Sequence, residues 1–218
     1  MRIPNDAELI AFHDWTLRVR PASKQPAHLL LLLHGWTGDE NSMWVFVQNF
    51  PLDYWIIAPR APYAAEPSGY SWRASHANAR RWPSLEDFHA SADSLIAFVD
   101  NYAAQNQLDA SQFDVMGFSQ GAALTNAIAL LYPERVRRAG VLSGFLPAES
   151  ESLVEKRPLN SKPFFVAHGT LDEMVKIEYA RQSVAMLERA GASVTFYEDE
   201  VGHKLSASGL HALEEYFS

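Results

Sequence analysis

Short apolar runs alternate along the chain with longer segments in which apolar residues recur every three or four positions. Several of the short runs are apolar at consecutive positions, which is typical of β-strands covered by helices on both faces. The runs predict seven strands: Leu17–Arg20, His28–Leu33, Tyr54–Ala58, Phe113–Gly117, Ala139–Leu142, Phe164–Ala167 and Val194–Tyr197. The less regular segment from Ala7 to Arg20 predicts one bent strand or a hairpin, so an antiparallel edge is expected there.

The longer segments predict four helices. The first follows Ser84, a candidate N-cap with Asp87 three residues later, and its apolar positions continue to Tyr102. The other three extend from Gln120 to Tyr132, from Ile177 to Ala190 and from Leu205 to Phe217.

Strands and helices that alternate in this way form a parallel sheet with right-handed crossovers. The 218 residues fit a single domain, because single cores usually stop growing near ~250–300 residues. We therefore expect one α/β domain over residues 1–218, with a mostly parallel central sheet of about seven strands and helices on both faces. Residues 59–83 form a long irregular connection, which is a candidate cover for a functional site.

Composition and charge narrow the function classes. The chain has no cysteine, which excludes disulfides, a thiolate nucleophile, iron–sulfur clusters and cysteine-based zinc sites. Its net charge of −8 argues against a nucleic-acid partner. The longest aliphatic run, Leu29–Leu33, is too short to span a bilayer, and Met1–Asp6 has no signal-peptide pattern. We expect a cytoplasmic protein.

The strand Phe113–Gly117 leads into a Gly-x-Ser-x-Gly motif formed by Gly117, Ser119 and Gly121, and a helix follows it. This order predicts a tight strand-to-helix turn that exposes the serine above the sheet, with glycines where neighbouring backbone passes close. The helix N-terminus then points at developing negative charge. Ser119 is therefore the candidate nucleophile.

A serine hydroxyl needs a base to remove its proton. His203 lies after the last predicted strand and before the last helix, where a nucleophile–acid–base chain order places the base. His168 ends an earlier strand and is the rival, although its position favours a structural role. We expect His203 to be the base and His168 to be a hydrogen-bonded structural residue.

The acid is expected in a loop between these elements. Asp172 follows the strand Phe164–Ala167, and an acid there would orient His203 and stabilise its charged form. The plainer interpretation of Glu173 is a solvated carboxylate. The run from Glu198 to Glu200 near His203 is also interpreted as a solvated charge run.

The turn His34-Gly35-Trp36-Thr37-Gly38 follows the strand His28–Leu33 and is a candidate oxyanion loop. The backbone N–H groups of Trp36 and Gln120 are the expected donors, and the Thr37 N–H is the alternative to Trp36. We expect His34 to brace this turn and to take no part in the chemistry.

Together these segments resemble the α/β-hydrolase superfamily, and within it the phospholipase/carboxylesterase family that includes the acyl-protein thioesterases. The matching stretches are Leu33-His-Gly-Trp-Thr-Gly-Asp-Glu40, Gly117-Phe-Ser-Gln-Gly-Ala122, Leu142-Ser-Gly-Phe-Leu-Pro147, His168-Gly-Thr-Leu-Asp172 and Gly202-His203. The resemblance covers nearly the whole chain after residue 27. It implies a triad of Ser119, Asp172 and His203 and the hydrolysis of carboxylic esters or thioesters, with no cofactor and no metal. One departure is Glu-Met-Val after Asp172, where many relatives carry proline.

The substrate itself is less defined by the sequence. Aromatic residues of the irregular connection and neighbouring loops are candidate substrate contacts, although core packing explains them equally well: Tyr63, Tyr70, Trp72 and Phe145. Arg73, Arg80 and Arg81 form a basic cluster that could meet a phosphate or carboxylate head group, or simply a solvated surface.

Two further interpretations stay open at this point. One is a different acyl hydrolase, of the lactone or peptidase-like kind. The other is a non-catalytic ligand-binding protein on a hydrolase scaffold, against which the intact serine, histidine, aspartate and oxyanion loop argue. An exposed apolar patch would allow a homodimer, and exposure cannot be derived from the sequence.

Overall fold

A central eight-stranded sheet organises the part of the chain that the computed structural model describes, namely Pro4, residues 6–74 and residues 82–218. The strands are β1 (Glu8–Phe12), β2 (Trp15–Arg20), β3 (His28–Leu33), β4 (Tyr54–Pro59), β5 (Tyr63–Ala64), β6 (Tyr70–Ser71), β7 (Phe113–Phe118), β8 (Val136–Leu142), β9 (Pro163–Gly169) and β10 (Ser193–Asp199). The α-helices are α1 (Glu86–Asn106), α2 (Gln120–Leu131), α3 (Glu151–Val154), α4 (Ile177–Arg189) and α5 (Ala207–Phe217). Two short 3₁₀ turns, Ser42–Phe46 and Pro133–Arg135, complete the set.

The strand order in the large sheet is β1-β2-β4-β3-β7-β8-β9-β10. The strands from β4 to β10 in this order run parallel, whereas β2 is antiparallel to both β1 and β4. The expected count of about seven strands is one too low, because the segment after Ala7 forms a hairpin in which Phe12 pairs with Trp15. The predicted antiparallel edge is confirmed.

Both faces of the sheet are covered, which explains why the strand sequences are apolar without alternation. In β3, Leu29, Leu31 and Leu33 belong to the core under α1 and α2, whereas Leu30 and Leu32 belong to the core under α5 and the turn Ser42–Phe46. The predicted layering, with helices on both sides of a mostly parallel sheet, is confirmed.

Local signals fix the helix ends. At the start of α1, the Ser84 N–H donates to the Asp87 carboxylate at 2.8 Å, as the capping pattern predicts. Helix α4 ends before Gly191, whose φ of +96° suits a C-terminal glycine. Helix α5 begins two residues later than expected because the Ser206 hydroxyl caps it, accepting from the Gly209 N–H at 2.9 Å. None of the described helices is both long and apolar enough to cross a membrane.

The first part of the connection between β4 and α1, up to residue 74, is more ordered than its sequence suggests. Strands β5 and β6 form a short antiparallel ribbon, here called the ribbon (Tyr63–Ser71). A β-bridge joins Tyr70 of the ribbon to Gly38 in the loop after β3. The ribbon therefore packs beside the loop that was predicted to hold the oxyanion donors. The predicted basic residues Arg80 and Arg81 lie outside the described residues.

Candidate active site

Ser119 occupies a sharp turn between β7 and α2 at the carboxyl edge of the sheet. Its backbone is strained, with φ 55° and ψ −114°, outside the regions that L-residues normally adopt. A Cβ on Gly117 would lie 2.2 Å from the Gly121 carbonyl carbon, and a Cβ on Gly121 would lie 2.0 Å from the Leu33 carbonyl oxygen. Both glycines of the motif are thus required by close backbone approach, as the sequence predicts.

His203 and Asp172 are hydrogen-bonded, with 2.6 Å between His203 Nδ1 and Asp172 Oδ2. Because an ionised carboxylate can only accept, His203 Nδ1 carries the proton and Nε2 keeps its lone pair. Backbone hydrogen bonds hold the two loops together: Thr170 N–H donates to Asp199 O at 2.7 Å and Leu171 N–H to Val201 O at 3.0 Å. The pair has the arrangement of a general base and its orienting acid.

The Asp172 carboxylate is fixed on both of its oxygens. Its Oδ1 accepts the N–H groups of Met174 and Val175, each at 2.9 Å, and Oδ2 faces His203. The residue is only 5% exposed. Asp199, the alternative acid near His203, instead accepts from the Glu200 N–H and the Ser208 hydroxyl. The geometry therefore favours Asp172 over the neighbouring carboxylates.

The serine loop and the histidine loop meet through Phe118, the residue before the nucleophile. Its ring centroid lies 4.9 Å from that of His203. Within the described residues no hydrogen bond joins the Ser119 hydroxyl to His203. Catalytic hydrogen bonds are often long without substrate and shorten when it binds. The lack of a direct Ser119–His203 hydrogen bond is therefore compatible with His203 as the base for Ser119.

The loop after β3 lies directly against the nucleophile. A Cβ on Gly35 would be 3.4 Å from Ser119 Cβ. In the part of the chain that the structure describes, the N–H groups of Trp36 and Gln120 have no hydrogen-bond partner. The Thr37 N–H, by contrast, donates to the Tyr70 carbonyl at 3.0 Å. Trp36 and Gln120 are therefore available as oxyanion donors, and Thr37 is not.

His34 is buried and braces the turn through both ring nitrogens. The Ala61 N–H donates to His34 Nε2 at 3.0 Å, so the remaining proton is on Nδ1, which donates to the Gly35 carbonyl at 2.7 Å. Burial lowers the pKa of His34, although Gly35, Asp39 and Glu40 act in the opposite direction. The geometry supports a structural role for His34, as expected.

The Gln120 side chain links the nucleophile turn to the ribbon, a contact that the sequence did not indicate. Its Oε1 accepts the Trp72 N–H at 2.8 Å and its Nε2 donates to the Ser71 hydroxyl at 3.1 Å. The Trp72 indole N–H in turn donates to the His34 carbonyl at 2.8 Å. The ribbon also packs closely against the loop after β3 at Gly69, which has φ +81°. A Cβ on Gly69 would lie 2.0 Å from the Thr37 carbonyl oxygen.

An ion pair between Arg60 and Glu40 stabilises the loop after β3. Arg60 holds Glu40 through two hydrogen bonds of 2.7 and 2.9 Å, and its third nitrogen donates to the Tyr70 hydroxyl at 3.1 Å. Burial raises the pKa of Glu40 and is the largest single influence, but the hydrogen bonds and charge of Arg60, together with a backbone hydrogen bond, bring the pKa below its usual value. Glu40 therefore stays charged, and the loop is tied to both β4 and the ribbon.

The four aromatic residues predicted to contact substrate lie in different surroundings. Trp72 is fully buried, so its indole supports the turn and presents no surface to a ligand. Tyr63 is half-buried in the ribbon. Tyr70 lines a cavity of about 890 Å³ beside the β1–β2 hairpin, and Phe145 lines a different, mostly apolar one of about 460 Å³ together with Trp82.

Comparison with known proteins identifies a family match and similar sequences. The sequence pattern of the Phospholipase/Carboxylesterase family matches residues 16–218. The chain is 34% identical over 134 residues to a probable carboxylesterase of Oryza sativa subsp. japonica; the match covers 61% of this chain and 47% of that protein. It is 26% identical over 211 residues to acyl-protein thioesterase 1 of Debaryomyces hansenii, covering 88% of this chain and 90% of the relative. This chain thus spans about half the length of the plant relative and most of the yeast one.

A solved structure supports the fold independently. The carboxylesterase of Bacillus cereus superimposes with a TM-score of 0.83 at 21% identity, covering 94% of each chain. At that identity the similarity demonstrates the α/β-hydrolase fold only, and the assignment of individual residues depends on the geometry given above.

Proposed function

The chain belongs to the phospholipase/carboxylesterase family, and from this premise we propose that it is a serine hydrolase that cleaves carboxylic esters or thioesters. The proposal depends above all on one observation, the 2.6 Å contact between His203 Nδ1 and Asp172 Oδ2 beside the strained Ser119 turn. A base held in one tautomer next to a partly exposed serine is what nucleophilic acyl transfer requires.

In the first half-reaction, Ser119 Oγ attacks the acyl carbonyl carbon while His203 Nε2 removes the hydroxyl proton. Asp172 accepts from Nδ1–H and stabilises the imidazolium that forms. The tetrahedral intermediate collapses, the bond to the alcohol or thiol breaks, and His203 returns the proton to the leaving group. The product of this half-reaction is an ester between the acyl group and Ser119.

In the second half-reaction, water attacks the acyl-enzyme and His203 again takes the proton. The intermediate releases the carboxylic acid, and the proton returns to Ser119 Oγ. In both halves the negative oxygen lies between the N–H groups of Trp36 and Gln120, whose unpaired state in the described structure suits this role. The start of α2 adds its positive dipole end at the same point.

The test is Ser119→Ala with a p-nitrophenyl ester and a fluorophosphonate probe. We expect kcat to fall by about 10⁴-fold or more and labelling to disappear, because the other groups of a triad have no nucleophile to act on. The control is Ser208→Ala, an exposed serine of α5 whose hydroxyl contacts only surface groups. Near-wild-type turnover or labelling of Ser119→Ala would contradict the proposal, and an unlabelled wild type would favour a non-catalytic binder.

Substrate class is tested with matched acyl compounds. An oxygen ester, a thioester, a lysophospholipid, a lactone and an N-acyl peptide of equal acyl length are compared by kcat/KM. Turnover of the open-chain esters or thioesters with little lactone or peptide hydrolysis supports the proposal. The reverse order would favour the lactone or peptidase-like hydrolase.

We also propose that the enzyme works in the cytoplasm and acts on a small-molecule ester or thioester. The absence of cysteine supports a reducing compartment without requiring one. Cell fractionation with an antibody to the chain tests the compartment, and light scattering of the purified protein tests the homodimer that the sequence analysis allows.

A further inference from the structure

His168 lies at the end of β9, next to the acid loop but outside the groups that act on substrate. Its side chain is fully buried and its Nε2 lies 2.7 Å from the Val175 carbonyl oxygen. The same nitrogen lies 3.4 Å from Asp172 Oδ2, the oxygen that bonds His203. One ring nitrogen of His168 therefore faces two acceptors at once.

The protonation state of His168 follows from these contacts. A carbonyl oxygen can only accept, so Nε2 carries the proton and donates it. Nδ1 is buried without a partner among the described residues, and a second proton there would have no acceptor. Burial also lowers the pKa of His168 below the usual histidine value, despite the opposing influence of Val175 and Asp172. The ring is a neutral donor.

These bonds close a ring around the acid. Val175 donates its N–H to Asp172 Oδ1, and its carbonyl accepts from His168 Nε2. The same Nε2 lies 3.4 Å from Asp172 Oδ2, the oxygen that His203 Nδ1 bonds at 2.6 Å. Rotation of the carboxylate away from His203 would break this arrangement at both oxygens.

We propose that His168 is a positioning residue of the reaction: through Nε2–H it fixes the turn from Asp172 to Val175 so that Oδ2 is aimed at His203. This inference rests on the proposed function, because it assigns His168 a role through the acid of that triad. His168 touches neither substrate nor the reacting atoms. Its effect on the rate passes through the orientation and tautomer of His203.

The charged groups around His168 are few. Asp172 and His203 face it from the two catalytic loops. From the adjacent strand β10, Glu198 pairs with His168 in register, but its carboxylate is held by Arg181 at 2.7 and 2.9 Å. Among the described residues, His168 therefore donates its hydrogen bond to the turn from Asp172 to Val175, through the Val175 carbonyl oxygen.

The test compares two amides that differ in reach. The side-chain nitrogen of Gln can occupy the place of Nε2, whereas that of Asn reaches only the place of Nδ1. We expect His168→Gln to keep kcat within about threefold of wild type, and His168→Asn to lower kcat by about 10- to 100-fold with KM changed less than about twofold, since a misplacement near 1 Å costs about 10²-fold. Val166→Ala, a buried change in the same strand, controls for loss of stability alone.

A proton NMR signature separates positioning from general support. The far-downfield resonance of the His203–Asp172 hydrogen bond should persist in His168→Gln and in Val166→Ala and disappear in His168→Asn. Equal kcat for the Gln and Asn variants, whether both high or both low, would overturn the inference, and so would a downfield resonance that survives in His168→Asn.

One measurement needs no variant, which covers the case that His168→Asn does not fold. Nitrogen-15 NMR of the histidine-labelled wild type should show His168 as the neutral Nε2–H tautomer throughout the active pH range. An Nδ1–H tautomer or an imidazolium there would overturn the inference. Failure of this inference is distinguishable from failure of the proposed function, because Ser119→Ala would still abolish turnover and labelling.

Discussion

At the scale of single residues, two residues of the site are in energetically unfavourable states. Ser119 has a strained backbone, and Asp172 is a buried carboxylate. The φ of 55° and ψ of −114° at Ser119 cost about 1–3 kcal/mol in a non-glycine residue. The conformation persists because Ser119 N–H donates to Leu142 O at 2.9 Å and Ser119 O accepts from Ala123 N–H at 3.1 Å. The strain is thus maintained by backbone partners on both sides and places the hydroxyl outside the helix.

Asp172 is a buried carboxylate, and burial of a charge requires compensation. The N–H groups of Met174 and Val175 and the Nδ1–H of His203 supply that compensation. The consequence for chemistry is that the acid is held in place before substrate arrives, so that little reorganisation accompanies formation of the imidazolium.

Asp172→Asn tests this assignment of the acid. The amide keeps the shape of the carboxylate but can present an N–H to His203, which favours the wrong imidazole tautomer. We expect kcat to fall by about 10³- to 10⁴-fold with the thermal midpoint little changed, measured with a p-nitrophenyl ester and by calorimetry. The control is Asp199→Asn, whose carboxylate contacts Glu200 and Ser208; if Asp199→Asn were the crippling change, the acid would be misassigned.

At the scale of elements, the position of α2 against β3 decides whether the nucleophile and the oxyanion loop can meet. Gly121, in the first turn of α2, lies against the carbonyl groups of Leu33 and His34 at the end of β3. No side chain fits between them. The motif glycine therefore serves the packing of two elements and, through it, the distance between Ser119 and the loop after β3.

Gly121→Ala should destabilise the protein strongly, because the added Cβ would lie 2.0 Å from the Leu33 carbonyl oxygen and the helix would have to move. We expect a loss of about 3 kcal/mol or more in the free energy of unfolding, measured by urea denaturation, together with loss of activity. Gly202→Ala is the matched control, since its Cβ would meet only Leu171 O, at 3.8 Å. A Gly121→Ala variant with wild-type stability would show that α2 does not approach β3 as described.

The elements also show how far a single sequence predicts structure. Six strands follow from short apolar runs, namely β3, β4, β7, β8, β9 and β10, and the four long helices follow from apolar residues that recur every three or four positions. The ribbon could not be predicted because each of its strands is so short, and its bridge from Tyr70 to Gly38 could not be predicted because that bridge joins positions more than 30 residues apart. Two-residue strands leave no periodic pattern.

The site divides along the same line. Ser119, Asp172 and His203 were assigned from motif and chain order, and the structure brings Asp172 and His203 into contact. The Gln120 contact to Trp72 and the engagement of the Thr37 N–H depend on where the ribbon packs, so residue types alone could not reveal them. The aromatic residues predicted to contact substrate were the least certain from sequence. Whether an aromatic side chain lines a pocket or packs in the core depends on its burial, which the sequence does not give directly.

At the scale of the whole molecule, two buried neutral histidines connect the site to overall stability. His34 braces the oxyanion loop on one side of Ser119, and His168 braces the acid loop on the other. Burial lowers the pKa of both below the usual value of about 6.5. Protonation of either ring would place a charge in a site built for a neutral donor.

The sign of the resulting pH dependence follows from linkage. Below pH 6.5 the unfolded chain binds protons at these two histidines that the folded chain does not bind, so the free energy of unfolding must fall as the pH falls. Each histidine contributes a slope that approaches about 1.4 kcal/mol per pH unit between its unfolded and folded pKa values. Well above pH 6.5 both states are neutral at these positions and the contribution is complete.

We therefore expect urea denaturation to show lower stability at pH 5.5 than at pH 7.5, at constant ionic strength and with little change in the denaturant slope. In His168→Gln, which has no ring to protonate, the His168 part of this pH dependence should be lost and the His34 part should remain. A flat or rising stability toward pH 5.5 would contradict the buried neutral state of both rings. If the free energy of unfolding of His168→Gln depended on pH as strongly as that of the wild type, His34 alone would account for the dependence. The neutral state of His168 in the folded protein would then be contradicted.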